Sequence, residues 1–339
     1  LYSELGNDGW GQHIMRKFLI LLLGFVLPVL ADDQSDFSSA PDASWQRYDP
    51  RAEASLSPTA LFDFSVNQCR IVAPPPTTIE EYNAAIGYGR AGLLAPSVFI
   101  NDAVASVDIT AWNPTTINRY LGTSFIDGTF IGVLTRVQAP VSRLAVNGYS
   151  ASIIDMGPGS SPGGRIGLLQ LMLITNEYNY YPLAGPMEFS LEPTHDYRLV
   201  LVSRGNKHTA RLFDLANPAI PVAEIVGEDP NNSFPNGKTG IMILTDRPAL
   251  ADVTFDNFLA WDGTPPPLVI QPGGDPQTIA LSSDLHRSMA TRLESTTDLT
   301  DPLTSWFLAW PASATQSGSN LITVFPIDGP RRFFRRKSL

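Results

Sequence analysis

The segment Val104–Trp112 (VASVDITAW) places Ala105, Val107, Ile109 and Ala111 on one side and Ser106, Asp108, Thr110 and Trp112 on the other. That is the period of 2 expected of a half-buried strand. Short apolar runs of the same kind recur at Phe130–Val137, Tyr149–Asp155, Ile166–Ile174, Met187–Leu191, Tyr197–Ser203, Thr209–Asp214, Val222–Val226, Gly240–Leu244 and Val253–Trp261. Gly, Pro, Asn or Asp separates each from the next. A chain interrupted this often cannot build long amphipathic helices. It can bury such runs only by pairing them in sheets, at the spacing of an all-β sandwich or barrel. The 29 prolines and 26 glycines enforce this, and the 17% of charged residues leaves few helical surface stripes. The best helix candidate is Thr77–Ala85, where Thr77 and Glu80 have capping-box spacing. No internal period points to a solenoid or propeller.

Near the N-terminus, Met15-Arg16-Lys17 is a short basic start and Phe18–Val29 an apolar run. Val29-Leu30-Ala31 then puts small residues before Asp32-Asp33. This is the anatomy of a secretory signal peptide over 15–31, cleaved near Ala31. The run is shorter than the roughly 20 residues a membrane span needs, so an integral membrane protein is not expected. Residues 1–14 carry Glu4 and Asp8 and do not fit a leader; they read as mis-translated upstream sequence ahead of a true start at Met15. The expected location is therefore secreted, periplasmic or cell-surface.

The net charge of −10 lacks the basic face that a nucleic-acid partner would require. The 43% hydrophobic content argues against disorder. Cys69 is the only cysteine, so no intrachain disulfide can form. A bacterial exported protein with a large core can do without one. Cys69 lies in the apolar stretch Phe62–Val72 and reads as a buried, inert thiol. Thr264-Pro265-Pro266-Pro267 marks a stiff break. The expected organisation is a β-sandwich over 32–263, a Pro/Gly-rich linker over 264–276 and a small β module over 277–339.

Several residues in 36–262 carry a resemblance. They are Asp36-Phe37-Ser38, Val107-Asp108 with Trp112, Gly132–Val137 (GVLTRV), Gly148-Tyr149, Leu191 with Asp196–Val200 (DYRLV), Gly240-Ile241 and the closing Phe255-Asp256-Asn257-Phe258. In this order they resemble the concanavalin A-like, laminin-G-like jelly roll. The resemblance implies a two-sheet sandwich whose first and last strands lie side by side. Leu293–Leu299 (LESTTDL), Trp306 and Arg331–Arg335 (RRFFR) resemble the small fibronectin-like C-terminal modules of secreted bacterial proteins, which have no assigned chemistry.

That fold class hosts lectins, glycosidases and adhesion modules, so function must come from a site. Glycoside hydrolysis needs two carboxyl groups at a set separation. In hydrolases of this fold one strand supplies them as Glu-x-Asp-x-(x)-Glu, and no such motif occurs here. Glu80-Glu81 and Glu224 with Glu228-Asp229 lie at turn-like or weakly patterned positions. His195, His208 and His286 have no metal-ligand spacing. Gly159–Gly163 (GSSPG) spells a nucleophile elbow around Ser161 but lacks the strand before it and the helix after it. Gly87–Gly92 (GYGRAG) spells a dinucleotide fingerprint with no strand ahead of it and Pro96 soon after. No cofactor is implied. Calcium suits the fold class, with Asp127, Asp155 and Asp256 as candidate ligands that ordinary Asx turns explain better.

The ligand-binding candidates are Asp108, Trp112, Arg136, Tyr149, Asn176, Tyr178 and Tyr180. If the strands holding Asp108 and Arg136 are adjacent, the two charges meet on a concave sheet, either as a structural ion pair or as a polar hook between Trp112 and Tyr149. Asn176–Tyr181 (NEYNYY) is the densest aromatic and amide cluster and suits carbohydrate or protein contact on a hairpin tip. The basic end Arg331–Lys337 reads as a final strand with outward charges. The expected function is a secreted, non-catalytic carbohydrate-binding or adhesion protein whose partner is a polysaccharide or cell-surface glycan. A polysaccharide-degrading enzyme and a purely structural envelope protein remain the alternatives.

Overall fold

In a computed structural model of the chain, residues 32–41, 43–75, 77–81, 89–113, 129–139, 141–142, 145–158, 164–176, 179–245, 250–265, 269–272, 278–296, 307–308, 313–317, 320–326 and 333–338 are described. The leader segment 15–31, the upstream stretch 1–14, Asp127, Tyr178 and the Ser161 motif lie outside the described residues.

Strands dominate. In chain order they are β1 (Asp33–Ser35), β2 (Gln46–Tyr48), β3 (Leu61–Asp63), β4 (Cys69–Ala73), β5 (Gly89–Ile100), β6 (Asp102–Trp112), β7 (Thr129–Val137), β8 (Gly148–Pro158), β9 (Arg165–Thr175), β10 (Asn179–Pro182), β11 (Met187–Leu191), β12 (Tyr197–Arg204), β13 (Lys207–Asp214), β14 (Ala223–Glu228), β15 (Asn236–Thr245) and β16 (Ala251–Trp261). They form two 8-stranded antiparallel sheets. One runs β14-β13-β12-β6-β16-β4-β3 with β1 added on β16. The other runs β10-β9-β8-β7-β15-β5-β2 with β11 added on β9. Consecutive strands cross repeatedly between the sheets, as in β5 to β6 to β7 and β15 to β16, so the architecture is an all-β jelly-roll sandwich.

Alternation explains the core. Ala91, Leu93, Ile131, Val133, Ala151, Ile153, Leu169, Leu171, Ile241 and Ile243 from one sheet meet Ala105, Val107, Ile109, Leu199, Leu201, Val253 and Phe255 from the other. β1 pairs with β16, placing Ser35 opposite Phe258. Trp45 then bridges Phe37 and Phe258 edge-on, with ring centroids 6.3 and 5.4 Å apart. Cys69 is buried in this core, and burial pushes its thiol up to about 12. The native protein is therefore expected to leave a thiol-specific disulfide reagent unreacted until denaturant is added; rapid labelling of the folded chain would contradict that burial.

β5 is the longest strand and the one the sequence hides. Its first residues belong to the glycine motif at 87–92, and Pro96 lies inside it. The strand accommodates Pro96 where its register with β15 shifts between Lys238 and Gly240. A bulge is where a strand tolerates proline, because no ladder hydrogen bond is lost. In Thr77–Ala85 the described helix is Ile79–Glu81. The reciprocal cap involves Thr78 and Glu81, not Thr77 and Glu80: Glu81 N donates to Thr78 Oγ1 at 3.1 Å, and Thr77 N donates to Glu81 Oε2 at 2.7 Å.

Beyond the sandwich, β17 (Val269–Pro272), β18 (Thr278–Asp284), β21 (Ser313–Ser317) and β22 (Asn320–Pro326) form a 4-stranded sheet. β19 (Thr291–Thr296), β20 (Phe307–Leu308) and β23 (Phe333–Ser338) form a 3-stranded one. A short helix, Leu285–Met289, joins β18 to β19 and covers the outer face of the β12–β6–β16 sheet. Met289 and Ala290 there close an apolar cluster with Val104, Val200, Val202, Phe213, Leu259 and Trp261. Arg211 Nη1 donates to the carbonyls of Met289 and Thr291 at 2.9 and 3.1 Å and fixes the contact. No helix among the described residues is long and apolar enough to cross a membrane.

Candidate functional site

The expected meeting of Asp108 and Arg136 does not occur, because their strands belong to different sheets. Asp108 on β6 points to the outer face, where β12 is the neighbour and Arg198 is directly opposite. Arg198 Nε and Nη2 donate to its two oxygens at 2.6 and 2.8 Å, and Asn257 Nδ2 adds a third bond at 3.0 Å. The pair is buried and Met289 sits beside it, with Arg198 Nη1 3.8 Å from its sulfur. Asp108 is therefore a structural partner under the C-terminal segment, not an exposed hook.

Trp112 does not share a face with Asp108 either. The register of β6 with β16 shifts between Ala111 and Ile109, which turns Trp112 inward beside the core. Its Nε1 donates to Asp155 Oδ2 at 3.0 Å. Asp155 also accepts from Arg165 Nε and from Gly157 N, at 2.8 and 2.9 Å for Oδ1. This carboxylate is spent within the protein. Asp256 is half-buried; burial and then the charge of Asp108 opposite it raise its carboxyl above the usual range. Among the described residues no group of three or more His, Cys, Asp or Glu could hold a metal ion.

The middle of the outer face of the second sheet is filled. The neighbouring positions Gly92, Met242, Gly132, Ser152 and Gln170 form one row across it. Ser152 and Gln170 are buried. Val141 and Val146 fold onto Leu94, Leu134, Met242 and Tyr48. They leave a cavity of about 10 Å³, at the lower limit for one water.

Arg136 and Tyr149 lead to a different place. The turns β5–β6, β7–β8, β9–β10, β12–β13 and β14–β15 all lie at one end of the sandwich. Trp112 lies at the other end of β6, roughly 30 Å away at 3.3 Å per residue. Arg136 enters this end at the last turn of β7 with a positive φ of 53°. Its guanidinium is buried and donates from Nη1 to Gly205 O at 2.7 Å and Asn232 Oδ1 at 3.1 Å, and from Nη2 to Asn101 O. One side chain thus ties three loops together. Burial lowers its pKa below the usual guanidinium value, although five donors keep it charged in practice.

Beneath it, Tyr149 donates its hydroxyl to Asp229 Oδ2 at 2.7 Å and accepts from Phe234 N at 3.2 Å. Burial, then this bond to Asp229, raises the tyrosine pKa. Burial alone would raise the Asp229 carboxyl as well. Hydrogen bonds from Ser233 N (2.7 Å), the Tyr149 hydroxyl and Asn231 N (3.1 Å) outweigh it, and the carboxyl lies below the usual range. The loops are also cross-linked through their backbones: Asp229 N donates to Asn206 O and Asn101 N to Pro235 O, both at 2.8 Å.

What this clamped end presents is a set of amides. Asn101, Asn176, Asn231 and Asn236 are exposed, and their side chains make no hydrogen bond among the described residues. Gln138 Nε2 donates to the carbonyls of Arg136 and Asn236, and Asn147 Oδ1 accepts from Asn176 N at 2.8 Å. Asn101, Asn176 and Asn232 have φ of 64°, 50° and 45°. Asparagine tolerates that left-handed region, so backbone demand accounts for part of the pattern. The exposed amide heads are not needed for it. Each offers one acceptor and two donors in a plane, the inventory that hydroxyl-rich ligands require.

Of the sequence candidates, the structure brings Arg136, Tyr149 and Asn176 to this end and leaves Asp108 and Trp112 away from it. Tyr180 packs on the outer face beside Ile174, with its ring partly buried. Asn101, Asn231 and Asn236 were missed. They lie in separate turns, and an isolated Asn in a turn gives no periodic signal. His208, set aside in the sequence for want of metal-ligand spacing, is buried in the core. It stacks on Tyr149 at 3.8 Å and shares Ser203 Oγ at 3.0 Å, with Ser203 in turn 2.7 Å from Thr135 Oγ1. This serine–histidine pair is sealed between the sheets, with His208 0% exposed, so no substrate reaches it.

No family model matches the chain, and no curated protein matches it. Among solved structures it is similar to a Bacillus subtilis protein with a galectin-like fold, at 10% identity and a TM-score of 0.41 over 68% of this chain and 94% of that one. It is similar to the carbohydrate-binding module CBM66 from Bacillus subtilis, at 14% identity and a TM-score of 0.39 over 64% and 95% of the two chains. Lectin II from Ulex europaeus aligns at 7% identity and a TM-score of 0.41 over 68% and 97%.

Proposed function

We propose that this protein binds carbohydrate without transforming it, through the amide-bearing loops that Arg136 gathers at one end of the sandwich. The observation that carries the reading is the combination of exposed, uncommitted amides with a rigid base. Asn101, Asn231 and Asn236 sit on loops whose carbonyls are held by one buried guanidinium and whose turn is held by Asp229. Preorganised polar groups of this kind lose little entropy on binding, so weak individual hydrogen bonds to hydroxyls add up. The middle of each outer sheet face is already occupied among the described residues: Met289 and Ala290 close one, Val141 and Val146 the other. We also infer export, with the functional chain starting at Asp32. The leader pattern over 15–31 supports it.

A glycan array probed with the purified chain tests the first claim. Binding to at least one glycan class is expected. Asn101→Ala with Asn236→Ala should lower affinity about tenfold or more, the worth of one to two hydrogen bonds. Arg136→Met should weaken binding further by releasing the loops, while reducing-end release from the bound polysaccharide stays at background. Full affinity in the Asn variants would remove the site from consideration.

A further inference from the structure

Exposed aliphatic side chains stand beside these amides. Ile100 is 73% exposed and Val98 56% exposed, both at the end of β5. Phe99 between them points into the core, so both project from the outer face. Register places Ile100 beside Asn236 and Val98 beside Lys238, and Asn101 follows at the turn. A soluble sandwich gains nothing by holding two branched aliphatics this far into water at a strand end, next to asparagines.

We propose that the ligand of the loop end is an N-acetylated amino sugar, recognised by its acetamido group; this rests on the carbohydrate-binding reading above. An acetamido group is a methyl joined to a planar amide. Ile100 and Val98 provide the apolar contact for the methyl. Asn101 and Asn236 beside them complement the amide N–H and carbonyl at once. Beside Asn101 and Asn236 the described residues offer no exposed aromatic plane for the C–H face of a plain hexose ring, since Tyr149 is buried and Phe234 half-buried; Tyr181, 52% exposed, stands on β10, four strands away from β15. The charges present are mostly committed. Arg136 is turned onto carbonyls, Asp229 onto N–H groups, and Lys207 lies 3.6 Å from Glu228. Lys238, next to Val98, is the residue through which an acidic sugar would act instead, so the test includes it.

The experiment uses the chain from Asp32 and paired oligosaccharides that differ only in the 2-substituent: N-acetylated and plain members of the gluco, galacto and manno series, with uronate oligomers as a third arm. Titration calorimetry is expected to show about tenfold tighter binding to the acetylated member of at least one pair, the combined worth of a methyl contact and one amide hydrogen bond. Ile100→Ser with Val98→Ser, both at exposed positions, should shrink that ratio below threefold. Equal or tighter binding of the plain members overturns the acetamido assignment and leaves carbohydrate binding standing. So does preferential uronate binding that Lys238→Gln abolishes. Binding to no glycan, in this panel or on the array, overturns both.

Discussion

Replacing Arg198 with alanine is expected to cost about 3–5 kcal/mol of folding stability, the usual price of stranding one partner of a buried ion pair. Asp108 would keep only Asn257 as a side-chain donor. It would also face Asp256 opposite and Asp196 nearby, whose carboxyls burial and the charge of Asp108 already raise above the usual range. The loss should appear as a lower urea midpoint with an unchanged slope. Asp108→Leu combined with Arg198→Met should recover most of it, because a packed apolar pair carries no desolvation penalty. A cost for Arg198→Ala below about 1 kcal/mol would mean that the pair behaves as a surface bridge. In that case Met289 and the segment around it would not cover this face. The same measurement therefore decides whether the outer face around Asp108 is interior or available to a ligand.

His208 should make the protein acid-sensitive well above the range where carboxylates protonate. Burial first, and then the positive charge of Arg136, push its pKa from 6.5 down to about 3. The folded pKa is depressed, so between those values the unfolded chain takes up a proton that the native state refuses. Stability is fully present above about pH 6.5 and falls as the pH is lowered, by about 1.4 kcal/mol per unit, until the folded pKa is reached. His208→Asn places a neutral amide near the Ser203 hydroxyl and removes the titration. Unfolding free energies from urea titrations between pH 7.5 and 4.5 should fall steeply in the parent and, below about pH 6.5, up to about 1.4 kcal/mol per unit less steeply in the variant. Parallel slopes would show that the imidazole is reached by solvent. Ligand affinity of the folded chain should hold over the same window, because the native ring stays neutral and keeps its stack on Tyr149, which holds Asp229 and its loop.

Most strands are legible as alternation because a strand buried on one side leaves a period of 2 in the chain. Met187–Leu191 coincides with β11, and Tyr197–Ser203 and Phe130–Val137 fall within a residue of β12 and β7. β5 is hidden because its glycines and Pro96 imitate a loop; the extra residues that β5 carries opposite Thr239 form a bulge that lets Pro96 lie in the sheet. The glycines are used for close approach. A Cβ on Gly132 would stand 3.0 Å from the Ala151 carbonyl oxygen. The Trp112 error has the same source in reverse. The extra residue Thr110 in β6 changes the phase of the strand end, and alternation alone carries no mark of such a bulge.

The candidate site was legible only as residue types. Arg136, Tyr149 and Asn176 stand out because a charge in an apolar run, a tyrosine after glycine and an amide among aromatics are each unusual. Their partners are set by which sheet each strand joins, and that depends on pairing between residues far apart in the chain. Asp108 meets Arg198, 90 positions away, and Arg136 meets Asn232, 96 positions away. Local pattern alone determined that the chain is all-β, that Ala105, Val107 and Ile109 share one face of their strand, and that Cys69 is buried. Periodicity and hydrophobicity act over a few residues and need no partner. The tertiary structure decided which charges neutralise each other, which face the helix Leu285–Met289 covers and which turns share an end. Those outcomes follow from long-range register, where a shift of one residue reverses the face of every side chain beyond it.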